Sequence, residues 1–167
     1  YGSSDTYVRN PATGTVYLVS SKVIGPLRGA ESRLMERNLL AFESTTVATA
    51  TLSAGEAEVS SLHQGRHDKD NAYWADPAEP EAVDTARDAL MDKVFQLRAT
   101  AYTTVAEQVQ DADVEPVVRA SFADEAGVDL GTLEIGKQAD EERSKPGDAA
   151  WIWWARSARS RGQWVQI

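Results

Sequence analysis

Cysteine is absent from this 167-residue chain, and histidine and methionine occur only twice each. Without a thiol there is no disulfide framework, and no thiolate zinc site can be built. A cysteine-free composition fits an extracytoplasmic protein that avoids mispairing, although cytosolic proteins can share it. Basic residues are scarce as well: 17 lysines and arginines against 26 acids leave a formal net charge of −9. That balance argues against a nucleic-acid footprint, which needs a basic face to neutralise phosphates, and against adhesion to anionic lipid by charge alone. No apolar run approaches the roughly 18 residues that span a bilayer. Because the chain begins at Tyr1 rather than methionine, we expect either a processed form or an excised piece of a longer protein, so that a signal peptide or membrane anchor can have been cut away. Membrane attachment would then run only through a segment missing from this chain.

What is present is ordinary in bulk and uneven in distribution. Hydrophobic residues make up 42% and charged residues 26%, as in folded globular proteins, and the length suits one domain or two small units sharing a core. Four of the five tryptophans lie in the last stretch, Ala149 to Ile167. There Trp151-Ile152-Trp153-Trp154-Ala155-Arg156 and Gly162-Gln163-Trp164-Val165-Gln166-Ile167 flank a polar connection, the pattern of a hairpin. Thr6-Tyr7-Val8-Arg9 and Thr15-Val16-Tyr17-Leu18-Val19, around a turn at Asn10 to Gly14, form a weaker copy. Written over one another, Trp154 to Ser157 matches Tyr7 to Asn10 and Gly162 to Ile167 matches Gly14 to Val19, with one residue inserted between. Either the two are related as repeats, or any two hairpins look alike.

Between them, Lys22 to Leu27 reads as a short helix or turn broken at Gly25-Pro26. Glu31 to Leu40 reads as a helix with Leu34, Met35 and Leu39 on one side. Strands are expected at Thr45–Leu52, Ala57–His63 and Ala72–Ala75. Asp76-Pro77-Ala78-Glu79 then resembles a helix start, and Val83, Ala86, Leu90, Val94 and Leu97 recur at helical spacing, so a long helix is predicted over Pro77–Ala99. Val105 to Val109 adds a short helix, and Val117–Ala123 and Gly131–Gly136 two more strands.

The candidate chemistry is thin. His63 and His67 are four residues apart, as two zinc ligands on a helix would be, but Gln64-Gly65-Arg66 reads as a turn and a solvated hairpin tip is favoured. Glu56/Glu58 and Asp111/Asp113 can in principle supply a glycosidase carboxylate pair, though acids at turns are common in so acidic a chain. Ser3-Ser4 and Ser20-Ser21 lack a nucleophile-elbow context, and Gly127 to Gly136 has no phosphate-binding pattern opening a helix. By strand alternation, Trp151 and Trp153 share one face while Ile152 and Trp154 share the other. Core packing is the favoured use of these tryptophans; an aromatic ladder for sugar rings or a partner protein is the alternative. Arg156, Arg159 and Arg161 form a local basic patch that can meet an acidic partner, with a solvated turn as the plainer account.

Tyr7-Val8-Arg9, Val16-Tyr17-Leu18-Val19, Arg37-Asn38-Leu39-Leu40-Ala41-Phe42, Trp74 with Pro77, Leu97-Arg98-Ala99, Pro116 and Leu133-Glu134-Ile135-Gly136-Lys137 occur in an order that resembles the domain of unknown function 4340 family. That family is found in envelope proteins tied to gliding-motility-type ABC transport systems. The resemblance implies an extracytoplasmic α+β domain, periplasmic or membrane-anchored, built from repeated units and without established catalytic residues. The second hairpin departs from the family pattern, with tryptophan in place of tyrosine and a charged loop before it.

The combined expectation is a single α+β domain over 1–167, a mainly antiparallel sheet with one long and one shorter helix packed on one face. It can also be divided as the end of one repeat unit (1–20) plus most of the next (45–167). In function we expect a non-enzymatic envelope domain, a protein-interaction or accessory module of a transport or motility complex whose partners are other envelope proteins. No catalytic, cofactor or metal residue is assigned. The candidate partner-binding residues are Trp151, Trp153, Arg156, Arg159 and Arg161. The rival is a carbohydrate-binding or glycoside-cleaving module that uses exposed tryptophans and an acid pair.

Overall fold

The computed structural model describes residues 6–28, 37–68, 70–100, 109–145 and 148–167. It falls into two compact units, Tyr1–Glu36 and Arg37–Ile167. In the first, strands β1 (Thr6–Arg9) and β2 (Val16–Val19) pair antiparallel, Tyr7 opposite Leu18 and Val8 opposite Tyr17. The turn is closed by the Gly14 amide on the Asn10 carbonyl (2.8 Å), and the Asn10 side chain accepts from the Ala12 amide (2.9 Å). Gly14 takes φ 71°, a conformation that costs an L side chain and not glycine. Helix α1 (Ser21–Arg28) follows and runs through Gly25-Pro26 without breaking.

Among the described residues, the second unit holds one antiparallel sheet of seven strands in the order β5-β4-β3-β6-β7-β8-β9. The strands are β3 (Thr49–Ala54), β4 (Ala57–Gln64), β5 (Tyr73–Ala75), β6 (Glu115–Ala123), β7 (Asp129–Ala139), β8 (Trp151–Ser157) and β9 (Val165–Gln166). Alternation along them separates two faces. Ala50, Leu52, Ala120, Phe122, Leu133 and Ala155 are buried on one. Thr51, Ser53, Arg119, Ser121, Thr132, Glu134 and Arg156 take the other positions. Helix α2 (Thr85–Gln96) supplies Met91 and Val94 to the buried cluster, and Phe95 packs at its edge. The rings of Phe95, Phe122, Phe42 and Trp74 lock together, Phe42 to Phe122 at 5.2 Å and Phe95 to Phe122 at 5.7 Å between centroids. Each large side chain so buried contributes on the order of 1.5–3 kcal/mol. Pro116 is tolerated inside β6 because the register slips between Pro116 and Val118, and a bulge has no ladder bond for its missing amide to supply.

The α+β class with a mainly antiparallel sheet is the observed architecture. The long helix differs from expectation. It starts at Thr85, not Pro77, because Asp84 is its N-cap, accepting from the Ala86 and Arg87 amides. Asp76 instead caps a tight turn, accepting from the Ala78 amide at 2.8 Å. The inner face also differs from the predicted stripe: Val83 and Leu90 are exposed, while Arg87 and Asp88 are half-buried in front of Met91 and Val94. Those two inward polar residues are satisfied, Asp88 by the Trp74 amide (2.6 Å) and Arg87 by the Ser60 carbonyl (2.6 Å).

Of the expected helix Glu31–Leu40, residues 31–36 lie outside the described residues, and 37–40 are not helical: Asn38 bridges to Arg98. The short helix expected at Val105 to Val109 falls outside them up to residue 108. The strand expected from Thr45 begins only at Thr49, after a 3-10 turn at Ser44–Thr46. No helix among the described residues is long and apolar enough to cross a membrane.

Candidate functional site

β8 lies between β7 and β9, with Trp151 opposite Ala139, Trp153 opposite Lys137 and Ala155 opposite Ile135. Trp151, Trp153 and Ala155 point to the same face by alternation, but only Ala155 belongs to the buried cluster. Trp153 and Trp151 stand one and two steps further along and are each 43% exposed. The expectation that these two rings fill the core is therefore corrected. The strand carries them past the residues that line it. Lys137, from the neighbouring strand, sets its ammonium 4.5 Å from the centre of the Trp151 ring and 3.3 Å from Glu115. The result is an aromatic ledge flanked by a paired cation.

Trp154 and Trp164 do the packing that was expected of the whole cluster. They are buried together with Val114, and Val109 and Ile152 pack against them. Trp164 donates its indole N–H to Asp111 at 2.9 Å. The indole N–H of Trp154 is buried without a partner among the described residues.

Arg156 is not a free member of a basic patch. Its guanidinium binds Glu134, reaches Asp111 at 3.0 Å, and lies 4.5 Å from the centre of the Trp164 ring. The Glu134 hydrogen bond, with Asp111 behind it, raises the Arg156 pKa above its ordinary value, while partial burial works the other way. Arg159 and Arg161 are exposed in the β8–β9 turn. Arg159 borders a shallow depression that it shares with Asn38, Phe42, Phe95 and Arg98. The structure thus brings Trp151 and Trp153 together and separates them from the three arginines, which alternation puts on the other face or in the turn.

The polar face of the sheet carries a feature that the sequence reading missed. Ser53, Arg119, Glu134 and Arg156 stand opposite one another across β3, β6, β7 and β8. Arg119 and Glu134 approach to 3.6 Å, so one glutamate lies between two arginines. Beside this row, Thr51 and Ser60 share a hydrogen bond of 3.0 Å. The signal was available in the alternating polar residues of Arg119-Ala120-Ser121 and Thr132-Leu133-Glu134. Only the strand order, which sequence did not provide, aligns them.

The remaining candidates fall in separate places. His63 is not at a solvated tip: it lies in β4, 7% exposed, stacked on Trp74 with centroids 4.3 Å apart and planes 9° from parallel. Its Nδ1–H donates to the carbonyls of Ser44 (3.1 Å) and Val47 (3.2 Å). Burial lowers its pKa, against the two carbonyl contacts, so the ring stays neutral. His67 is in the exposed turn beyond β4, next to Asp68, and does not share a face with His63. Glu56 and Glu58 are exposed at the β3–β4 turn, and Asp111 is held by Arg156 and Trp164. An acidic cleft exists elsewhere, lined by Asp113, Asp140, Glu141 and Glu142 around Ile152 and Gln166, away from the Trp151–Trp153 face of β8. Ser3-Ser4 lies outside the described residues. No family model, curated protein or solved structure matches the chain.

Proposed function

We propose that this protein is a non-enzymatic interaction module, an accessory domain of an envelope transport or motility complex. Its contact surface is the Trp151–Trp153 ledge, and its partner is another envelope protein. The observation that carries the reading is the exposure of two adjacent tryptophan rings at the end of an otherwise core-facing strand. Tryptophan is enriched among residues that dominate binding energy, because it desolvates a large area while fixing few torsions. The part of each ring left in water adds nothing to the stability of the sheet. The extracytoplasmic and transport setting rests on the order of motifs that resembles the 4340 family.

A carbohydrate-binding module is the second reading, since rings two residues apart on one strand face can stack on successive sugars. The acidic cleft opens beside Ile152 rather than beside these rings, which separates the aromatic platform from a carboxylate pair and weighs against glycoside cleavage.

Site-specific photo-crosslinking from position 153 in the producing cell tests the proposal. The expected result is one predominant adduct with an envelope protein, lost when Trp151 is changed to alanine. No adduct, together with quenching of tryptophan fluorescence by a soluble hexasaccharide, would transfer the site to the sugar reading.

A further inference from the structure

The two hairpins at the ends of the chain share more than composition. In β8–β9, Trp154 stands opposite Gln166 and Ala155 opposite Val165. In β1–β2, Tyr7 stands opposite Leu18 and Val8 opposite Tyr17. Placing Trp154 on Tyr7 and Gln166 on Leu18 makes both pairings coincide. The turns coincide too. Gly162 donates its amide to the Ser157 carbonyl at 2.9 Å, as Gly14 does to Asn10 at 2.8 Å. The Ser157 hydroxyl accepts from the Arg159 amide, as the Asn10 amide oxygen does from Ala12. Gly162 has φ 73° and Gly14 φ 71°. One extra residue in the second turn leaves all of this intact.

The second hairpin has a neighbour that the first lacks. The outer edge of β8 pairs with β7, Gly136 opposite Trp154, Ile135 opposite Ala155 and Glu134 opposite Arg156. β1 belongs to a two-stranded sheet, and its outer edge has no strand among the described residues. Asn10 bonds inward to Thr15. Antiparallel alternation then turns the backbone groups of Arg9 and Tyr7 outward, as it turns those of Arg156 and Trp154 toward β7. Arg9, the counterpart of Arg156, is exposed and makes no ion pair among the described residues. Tyr7 (75%), Leu18 (60%), Val16 (57%) and Tyr17 (52%) are exposed on both faces of the hairpin. A two-stranded hairpin is marginal by itself in water, and an apolar one has no reason to leave both faces wet.

We propose that β1–β2 is the closing hairpin of a second sheet of the same kind. Its outer edge receives an antiparallel strand of β7 type from another copy of that sheet unit, with glycine opposite Tyr7, a β-branched residue opposite Val8 and glutamate opposite Arg9. Ladder hydrogen bonds give this contact its affinity, and the arginine–glutamate pair fixes its register. The surface is distinct from the tryptophan ledge and does not depend on it.

The test is a titration of the isotope-labelled 167-residue chain with a synthetic peptide of the β7 sequence Asp129–Ala139, read by amide chemical shifts and hydrogen exchange. Exchange at the Tyr7 and Arg9 amides is expected to slow at least about tenfold, the two alternate positions of a paired edge. Arg9→Glu weakens the response, and a peptide carrying Glu134→Arg restores it to that variant. The idea is overturned if Tyr7 and Arg9 do not respond at millimolar peptide, or if Arg9→Glu leaves the response unchanged. Protection of both amides that rises with protein concentration and needs no peptide would replace it with self-pairing of β1 edges. A response confined to β6 or β8 would mean strand exchange within the larger sheet, and would equally overturn it.

Discussion

Replacing Gly136 with alanine puts one methyl group where β7 has no room for it. An added Cβ would lie 2.9 Å from the Glu115 carbonyl oxygen and 3.3 Å from the Trp164 ring, with a methyl of Val114 closer still. Two of these three neighbours are core side chains, buried to 3% and 4% exposure, and the third is backbone. Gly136 does not occupy the left-handed region, so its backbone conformation is one that alanine adopts freely. Two effects therefore oppose each other. Alanine would recover about 0.5–1 kcal/mol by restricting the unfolded chain, while forcing a methyl into a packed site costs typically 1–3 kcal/mol. The clash should win, because a backbone carbonyl cannot step aside as a side-chain end can.

Urea unfolding followed by tryptophan fluorescence is suited to the measurement, since Trp154 and Trp164 lie beside the site. The expected net loss is about 1–2 kcal/mol, a melting temperature lower by roughly 2–8 °C for a chain of this size. Adding Val114→Ala should return part of the loss, as a favourable coupling of at least about 0.5 kcal/mol in a double-mutant cycle. A Gly136→Ala variant more stable than the parent would refute the reasoning, because only the entropic effect would then remain.

Two further perturbations probe the other half of the sheet. Arg87 has a side chain 16% exposed that ties α2 to Asp76, Asp84, the Ser60 carbonyl and the Ser61 hydroxyl, so Arg87→Ala should cost about 1–3 kcal/mol. Arg87→Lys should recover less than half of that, since an ammonium cannot span four acceptors in fork geometry; equal urea midpoints for lysine and arginine would rule this out. His63 is held neutral with its pKa below the ordinary 6.5, so the unfolded chain takes up its proton first as the medium is acidified. Its contribution is present above pH 6.5 and is lost as the pH falls from there through the folded pKa. His63→Asn, which keeps a donor for the Ser44 and Val47 carbonyls, should be less acid-sensitive over that interval, and parallel stability–pH curves for the two proteins would exclude the mechanism.

Much of the sheet could be read from the sequence, because β-strands announce themselves through local alternation and turn residues. Gly55, Gly65 and Gly127, all at positive φ, mark turns that composition alone locates. The long helix was misplaced by eight residues for an identifiable reason. Asp76-Pro77-Ala78-Glu79 satisfies every local rule for a helix start, yet Asp84 offers a competing cap, and the turn at Asp76 is held by Arg87 from the helix itself. That contact is tertiary and invisible in a window. The same holds for the tryptophans. Alternation correctly paired Trp151 with Trp153, but Trp154 and Trp164 are buried by meeting Val114 on the opposite face, while β8 carries Trp151 and Trp153 beyond the residues that line the core. Arg156 looked like part of a basic cluster because its partners, Glu134 and Asp111, are 22 and 45 residues away in sequence.

The order of the strands also bears on how quickly the sheet can assemble. β6, β7, β8 and β9 succeed one another in space as in sequence, and so do β3, β4 and β5. Among the described residues, the only pairing in this sheet that departs from this order is the central one, where Thr49 meets Ala123 and Ser53 meets Arg119. Closing that seam means bringing together positions more than about sixty residues apart, and each doubling of such a loop adds about 0.6 kcal/mol to the entropic barrier. Two meanders built from local contacts would therefore form early, and their union would be the slow step. In pulse-labelled hydrogen exchange, amides of β7 should gain protection before those of β3 that face β6; simultaneous protection would mean that the seam itself is the nucleus.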